Sequence, residues 1–320
     1  MPPTDLMKKL SRSDQISQKF SEFLLIQGIL REGNEMFLAN TLPFTSILPY
    51  VSDYSAELYY CMPLSLCLKS RSINIENTYI IHLNNKIISC KEKLMHSQLG
   101  NDVYIYDLDN KVLEIFLNTK ISKAKILNTL FKCITINSPD RDTKLYGVYA
   151  VSFYDKNGLA LSIASTEPII INFANPLSIN VYVPKSKMLL ASTTKPCAKM
   201  FRDIHVYSNI VSVKGLLRNM QALVEILDPI SLVSVVNFDN GCVEMELINP
   251  EDLDFNAIIK VYGYIDELII DDLTKFKPTH SIIRIAMPMH AKSKLRLCMS
   301  TYMPKRSDTF LRLRDFVQVS

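Results

Sequence analysis

Tryptophan is absent from this 320-residue chain, and glycine occurs only eight times. Loops that cradle phosphate need backbone amides to approach the ligand with no Cβ in the way, so a chain this poor in glycine is not built around one. Neither GxGxxG nor GxxxxGKS/T occurs, which removes the common nucleotide-binding loops as a basis for function. Metal-ligand spacing is missing as well. His82, His96, His205, His280 and His290 stand apart, and no CxxC or HxxxH pair is present, so neither a metal centre nor any other cofactor is expected. No apolar run approaches the roughly 18 residues of a conventional spanning helix. The opening MPPTDLMKKLSRSDQ has lysines with no apolar stretch directly behind them, unlike a cleaved secretory signal. An intracellular protein is therefore expected. Cys61, Cys67, Cys90, Cys133, Cys197, Cys242 and Cys298 are odd in number, scattered and mostly set in apolar strands, so buried free thiols are the expectation.

What is present suits a folded chain: 48% of residues are hydrophobic and 21% charged, enough for one large or two ordinary domains. The net charge of +4 conceals segregation. From residue 184 to 224, seven cations (Lys185, Lys187, Lys195, Lys199, Arg202, Lys214 and Arg218) face the single acid Asp203. From 225 to 272 twelve acids face Lys260 alone, and from 273 onward ten cations face Asp308 and Asp315. Blocks of opposite sign suit a polyanion-binding face or the stacking of copies.

Residues 1–12 read as a loose arm, and the spacing of Ile16, Phe20, Phe23, Leu24 and Leu30 predicts a helix over about 13–31. This helix could dock on the body, mediate self-association or lie on a membrane. Strands are expected at 56–69, 78–83 and 86–90, then a hairpin of VYIYDL and KVLEIFL around Asp109 and Asn110, then a helix over 119–132. Residues 144–213 carry strands at 145–154, 159–164, 169–173, 177–183, 188–192 and 204–213, punctuated by prolines. A helix is predicted over 215–227, a hairpin around Asp239, Asn240 and Gly241, and a closing hairpin of 295–302 with 310–319. The fold class inferred is mainly β with flanking helices. An antiparallel, sandwich-like core domain spans 13–213, and a smaller β-rich α+β domain spans 214–320.

The candidate nucleic-acid-binding set is Lys185, Lys187, Lys195, Lys199, Arg202, Lys214 and Arg218, with Tyr182, Phe201 and Tyr207 among them as possible stacking surfaces. Lys292, Lys294, Arg296, Lys305, Arg306, Arg312 and Arg314 could instead meet anionic lipid or the acidic block of a neighbouring copy. Asp155 opens a DKNG turn, where an aspartate has ordinary turn chemistry and no partner for acid–base work. Glu244 and Glu246 alternate with apolar residues and read as the solvent side of a strand. No catalytic residue is assigned.

VYAVSFYD with Asp155, IIINFANPLSI with Phe173, Pro176 and Ser178, KMLLAST and RDIHVYS follow in an order that resembles the core of the 30K superfamily of plant-virus movement proteins. The resemblance implies that Asp155 corresponds to the aspartate on which movement depends. It also implies cooperative binding of single-stranded RNA or ribonucleoprotein, self-association, contact with other viral proteins and the membrane periphery, residence at plasmodesmata of the host cell, and no catalysis. The closing SKLRLCMSTYMPKRSDTFLRLRDFVQV resembles the C-terminal strand pair of paramyxovirus-type matrix proteins, which assemble beneath membranes in the virion. A third likeness is to half of a sliding DNA clamp.

Overall fold

The computed structural model describes residues 3–52, 55–227, 231–272, 274–276 and 281–299. Helix α1 (Pro3–Ile26) is followed by β1 (Leu30–Asn40), β2 (Ser46–Ser52), β3 (Ser55–Cys61) and β4 (Ser65–Ile73). Ten strands come next: β5 (Glu76–Leu83), β6 (Lys86–Leu99), β7 (Asp102–Tyr106), β8 (Lys111–Phe116), β9 (Lys123–Asn128), β10 (Cys133–Asn137), β11 (Lys144–Asp155), β12 (Gly158–Asn175), β13 (Ser178–Val183) and β14 (Met188–Ser192). Helix α2 (Cys197–Ser208) leads to β15 (Ile210–Leu217), β16 (Val224–Ile226), β17 (Leu232–Asp239), β18 (Cys242–Ile248), β19 (Phe255–Val261), β20 (Ile265–Ile270), β21 (Thr274–Phe276), β22 (Ile282–Met287) and β23 (Lys292–Met299). The protein is mainly antiparallel β with flanking helices.

Two long strands make the larger sheet close on itself. One edge of β6 pairs first with β8 (Ile88 opposite Ile115) and farther along with β7 (His96 opposite Ile105). One edge of β12 likewise serves β14 through 162–165 and β13 through 170–175. Since β13 pairs β8 and β14 pairs β7, the ring of β6, β8, β13, β12, β14 and β7 is complete, and β5 and β10 remain as edges outside it. Pro168 falls between the two pairing stretches of β12, where its missing N–H interrupts no ladder bond. Period-2 alternation then sorts the side chains. Val103, Ile105, Ile115, Phe153, Phe173, Val181 and Leu189 fill the ring, while Tyr104, Tyr106, Ala164 and Leu190 point outward under α2. Helix α2 presents Cys197, Met200, Phe201 and Ile204 to them, spacings of three and four that make one helical face. Each large side chain so enclosed contributes at most about 1.5–3 kcal/mol.

A second core lies at the other end, where Phe20, Leu24, Phe44 and Leu66 pack with Val213, Phe238, Val243, Ile259 and Leu297. Strand β15 pairs along β1, with Phe37 opposite Val213, in the sheet β15-β1-β4-β3-β2. Residues on both sides of position 213, the expected domain boundary, therefore share one apolar interior.

Several local expectations are corrected. Residues 3–12 continue α1 and do not form a loose arm. The predicted helix over 119–132 is β9 and the turn after it: Ala124, Ile126 and Leu127 are buried on both faces, and two-sided burial imitates a helical stripe. The predicted helix over 215–227 is the end of β15, an irregular connection and β16. The strand predicted over 204–213 is the end of α2 through Ser208 and, from Ile210, the start of β15. Asp109 and Asn110 do turn the chain, yet β7 and β8 do not pair with each other, because β6 lies between them. The Asn240–Gly241 hairpin forms as expected, both residues at positive φ. The expectation of seven free thiols fails: Cys61–Cys67 and Cys242–Cys298 are disulfides between residues directly opposite on paired strands. Strand β23 is flanked by β18 and β20, and the second arm of its expected hairpin, 310–319, lies outside the described residues.

Candidate functional site

The seven cations expected to form one surface are dispersed. Lys185 and Lys187 are exposed in the turn between β13 and β14. Lys195 lies beyond the far end of β14, its ammonium 2.8 Å from Asp102 Oδ2 and 2.9 Å from Asp203 Oδ2. Burial alone would push the Lys195 ammonium's pKa down, and the two carboxylates together more than offset this and hold it above its usual value. Lys199 is exposed on α2. Arg202, on the same helix, is half-buried, with its guanidinium 4.0 Å from the Phe44 ring centre and bonded to the Ile226 carbonyl. Lys214 on β15 and Arg218 just after it are exposed beside β1, in the sheet that covers the other core. Lys195 and Arg202 are thus structural cations. Of the expected stacking residues, Phe201 is buried and Tyr207 half-buried against the core, leaving Tyr182 exposed.

The C-terminal cations meet the acidic block inside the same chain. Register places Arg296 opposite Glu244 and Lys294 opposite Glu246. Arg296 Nη1 lies 3.4 Å from Glu244 Oε1, and Lys292 Nζ 3.2 Å from Glu246 Oε1. The two glutamates, expected on a free solvent side, are half of a cross-strand ladder. Lys305, Arg306, Arg312 and Arg314 lie outside the described residues.

Asp155 closes the β11–β12 hairpin opposite Gly158, and its Oδ1 accepts the Asn157 N–H at 2.7 Å. This is the turn geometry expected of an aspartate in DKNG. Beside it is a hollow of about 490 Å3 lined by Thr119, Lys120, Ser122, Ser138, Asp155 and Lys156. The neighbouring Lys123 ammonium sits 4.5 Å from the Tyr154 ring centre.

One end of the closed sheet gathers cations that the sequence scatters. The turn through Asp109 and Asn110 is bonded to the 184–187 turn: Asn110 N–H donates to the Pro184 carbonyl, Leu108 N–H to the Ser186 carbonyl and Ser186 N–H to Asp109 Oδ1. Lys111 stands opposite Val183 at the start of β8, and its Nζ reaches the Lys93 carbonyl of β6 at 3.4 Å. Lys93 Nζ in turn lies 5.9 Å from the Tyr79 ring centre. Lys93, Lys111, Lys185 and Lys187 therefore share one end of the sheet. Tyr182 stands opposite Val112, and Tyr79, Val112 and Tyr182 are all exposed there. Lys93 and Lys111 were missed because they are 18 residues apart in sequence and 94 and 76 from Lys187, and only the β6–β8–β13 register joins them. The run of Lys91, Glu92 and Lys93 within β6 was the available signal.

No protein-family model and no curated protein sequence matches the chain. Among solved structures, it is similar to a GH31 family sulfoquinovosidase from E. rectale in complex with an aza-sugar inhibitor, at 9% identity and a TM-score of 0.26. The similarity covers 55% of this chain and 30% of the sulfoquinovosidase chain.

Proposed function

We propose that this protein binds single-stranded nucleic acid without catalysis, through the end of the closed sheet that carries Lys93, Lys111, Lys185 and Lys187. The observation that carries the reading is the joining of these four cations to the exposed rings of Tyr79 and Tyr182. Ammonium groups neutralise phosphates while aromatic faces take bases of any identity, a combination that holds single strands with little sequence preference. A movement-protein role follows from the same binding. The chain would coat viral RNA or ribonucleoprotein, associate with copies of itself and other viral proteins at the membrane periphery, and carry the genome through plasmodesmata of an infected host cell.

Binding of a fluorescent single-stranded RNA to the full chain tests the reading. Four phosphate contacts on a single strand give a log–log salt slope near −2.8, so affinity should fall by about 50-fold between 50 and 200 mM salt. Reversing Lys93, Lys111, Lys185 and Lys187 to glutamate should abolish retention and flatten that slope. Unchanged affinity would remove the proposal. For the transport role, a tagged chain should collect at cell-wall junctions in leaf epidermis, and the four-fold variant should not carry RNA there.

A further inference from the structure

The sheet β15-β1-β4-β3-β2 is joined between β1 and β4 by two residue pairs, Ala39 with Leu66 and Asn40 with Ser65. Toward the start of β1 the two strands part. A hollow of about 340 Å3 lies there, lined by Met36 and Leu38 of β1, Leu66 and Leu68 of β4, and Leu217 and Met220. Met36 is 56% exposed and Leu68 48%, so apolar side chains face water on both walls.

Both walls also turn main-chain hydrogen-bonding groups into the cleft. The Ser17 and Ser21 hydroxyls of α1 donate to the Ser212 and Lys214 carbonyls, so these two residues of β15 face α1 and not β1. Residues directly opposite in an antiparallel ladder either exchange both hydrogen bonds or both face outward. Leu38 and Met36, opposite Ser212 and Lys214, therefore direct their N–H and C=O groups to the side of β4. On the other wall, the Cα atoms of Cys61 and Cys67 are 4.2 Å apart, the spacing of a pair that does not exchange hydrogen bonds. Cys67, and Lys69 two residues on, therefore face the side of β1. Among the described residues, no ladder or turn bond meets the main-chain groups of Met36, Leu38, Cys67 or Lys69 on that side. Open strand edges beside apolar side chains are the means by which a sheet takes up an extended peptide.

We propose that the cleft between β1 and β4 is the docking site of this chain's own segment 310–319, laid in as an extended strand. Three observations select this occupant. Its sequence FLRLRDFVQV alternates Leu311 and Leu313 with Arg312 and Arg314, the period of a strand with one apolar side. The strand expected to pair with it has no room, because β18 and β20 occupy both edges of β23. The chain leaves β23 beside the start of β1, toward which the cleft opens: the Met299 carbonyl lies 3.5 Å from Gln27 Nε2, and β1 begins at Leu30. Residues 300–309 can span about 33 Å, against about 20 Å along β1 from Leu30 to Met36. Entering from that end, the segment runs antiparallel to β4. The exposed Glu32 and Glu35 of β1 have the sign that suits Arg312 and Arg314, while the Lys69 ammonium of β4 is already held by Glu57. This docking is independent of the RNA-binding reading, whose four lysines belong to the larger sheet.

Hydrogen exchange of the full chain, resolved by NMR, tests it. The amides of Met36, Leu38, Cys67 and Lys69 should exchange at least about tenfold more slowly in the parent than in the double variant Leu311→Asp, Leu313→Asp. A synthetic peptide of residues 309–319, added to that variant, should restore the protection. Equal exchange in the two chains would overturn the proposal. So would protection that fades on dilution together with a dimer in sedimentation, which would assign the cleft to a second copy. A second arm needs no loss of docking: a benzophenone amino acid in place of Leu311 should cross-link on illumination to peptides of β1 or β4 at the mass of a single chain. Links confined to other surfaces would contradict the assignment.

Discussion

Lys195 Nζ lies 2.8 Å from Asp102 Oδ2, and this contact neutralises a carboxylate whose other oxygen is buried without a protein donor. Asp203 Oδ2, at 2.9 Å, completes the group. Burial, the largest influence on Asp203, holds its carboxyl above the usual range in spite of the lysine beside it. Lys195→Met leaves two enclosed carboxylates facing each other and should cost about 3–5 kcal/mol at pH 7. A carboxyl raised in the folded state contributes stability below its unfolded value and loses it as pH rises through its folded value. The variant's deficit should therefore shrink between pH 7 and about pH 4, near the unfolded aspartate value. Urea unfolding at several pH values measures this, and an equal deficit throughout would contradict it. RNA affinity should be unchanged, since this lysine is outside the proposed binding end.

His205 Nε2 lies 2.8 Å from the Val233 carbonyl, and its ring stacks on Phe201 with centroids 5.3 Å apart. Burial pushes its pKa down, with the Val233 hydrogen bond in opposition. A histidine lowered by folding leaves the unfolded chain as the better proton acceptor, so stability falls as pH drops below about 6.5. His205→Gln keeps an amide donor for the carbonyl and removes the titration. Its stability should vary less than the parent's between pH 6.5 and 5, as read from urea midpoints.

The sequence made the antiparallel β class legible because period-2 patterning, prolines and turn residues are local. DKNG and Asp239–Asn240–Gly241 formed the expected hairpins for that reason. Helix α2 was misread because His205, Val206 and Tyr207 have strand-like propensities. Its true signal was the helical spacing of Cys197, Met200, Phe201 and Ile204. The opposite error at 119–132 came from strand residues covered on both faces. Neither disulfide was foreseen, since six residues separate one pair and 56 the other, and strand register decides both. Charge blocks were legible as blocks, while their meaning was not. Pairing of β18 with β23 sets two opposite segments against each other in one cross-strand ladder. Lys185 and Lys187 were named from sequence, and their partners Lys93 and Lys111 were hidden by strand order.

That ladder has a measurable signature. Glu246→Lys sets like charges beside Lys292 and opposite Lys294, and should cost roughly 0.5–1 kcal/mol at low salt. Lys292→Glu should cost a similar amount through Glu246. The double exchange should recover the part of the loss carried by the 246–292 contact, while the cation at position 246 still faces Lys294, and the coupling should fade as salt rises. Additive losses in the double variant would mean that the two side chains do not interact.

Helix α1 had three readings from its sequence: docking, self-association or lying on a membrane. Its Phe20 ring centre is 4.6 Å from that of Phe238 on β17, Phe23 is 5.0 Å from the same ring, and Phe20 and Leu24 have no exposed surface. The apolar face is therefore spent on the second core. Phe20→Ala should lower stability by about 3–5 kcal/mol in urea unfolding, as expected for an aromatic ring removed from a packed interior. Ile16→Ala, on the same helix at 37% exposure, should change it by less than about 0.5 kcal/mol. A helix held mainly by another copy would behave differently: Phe20→Ala would shift sedimentation while leaving the urea midpoint of the dilute chain in place.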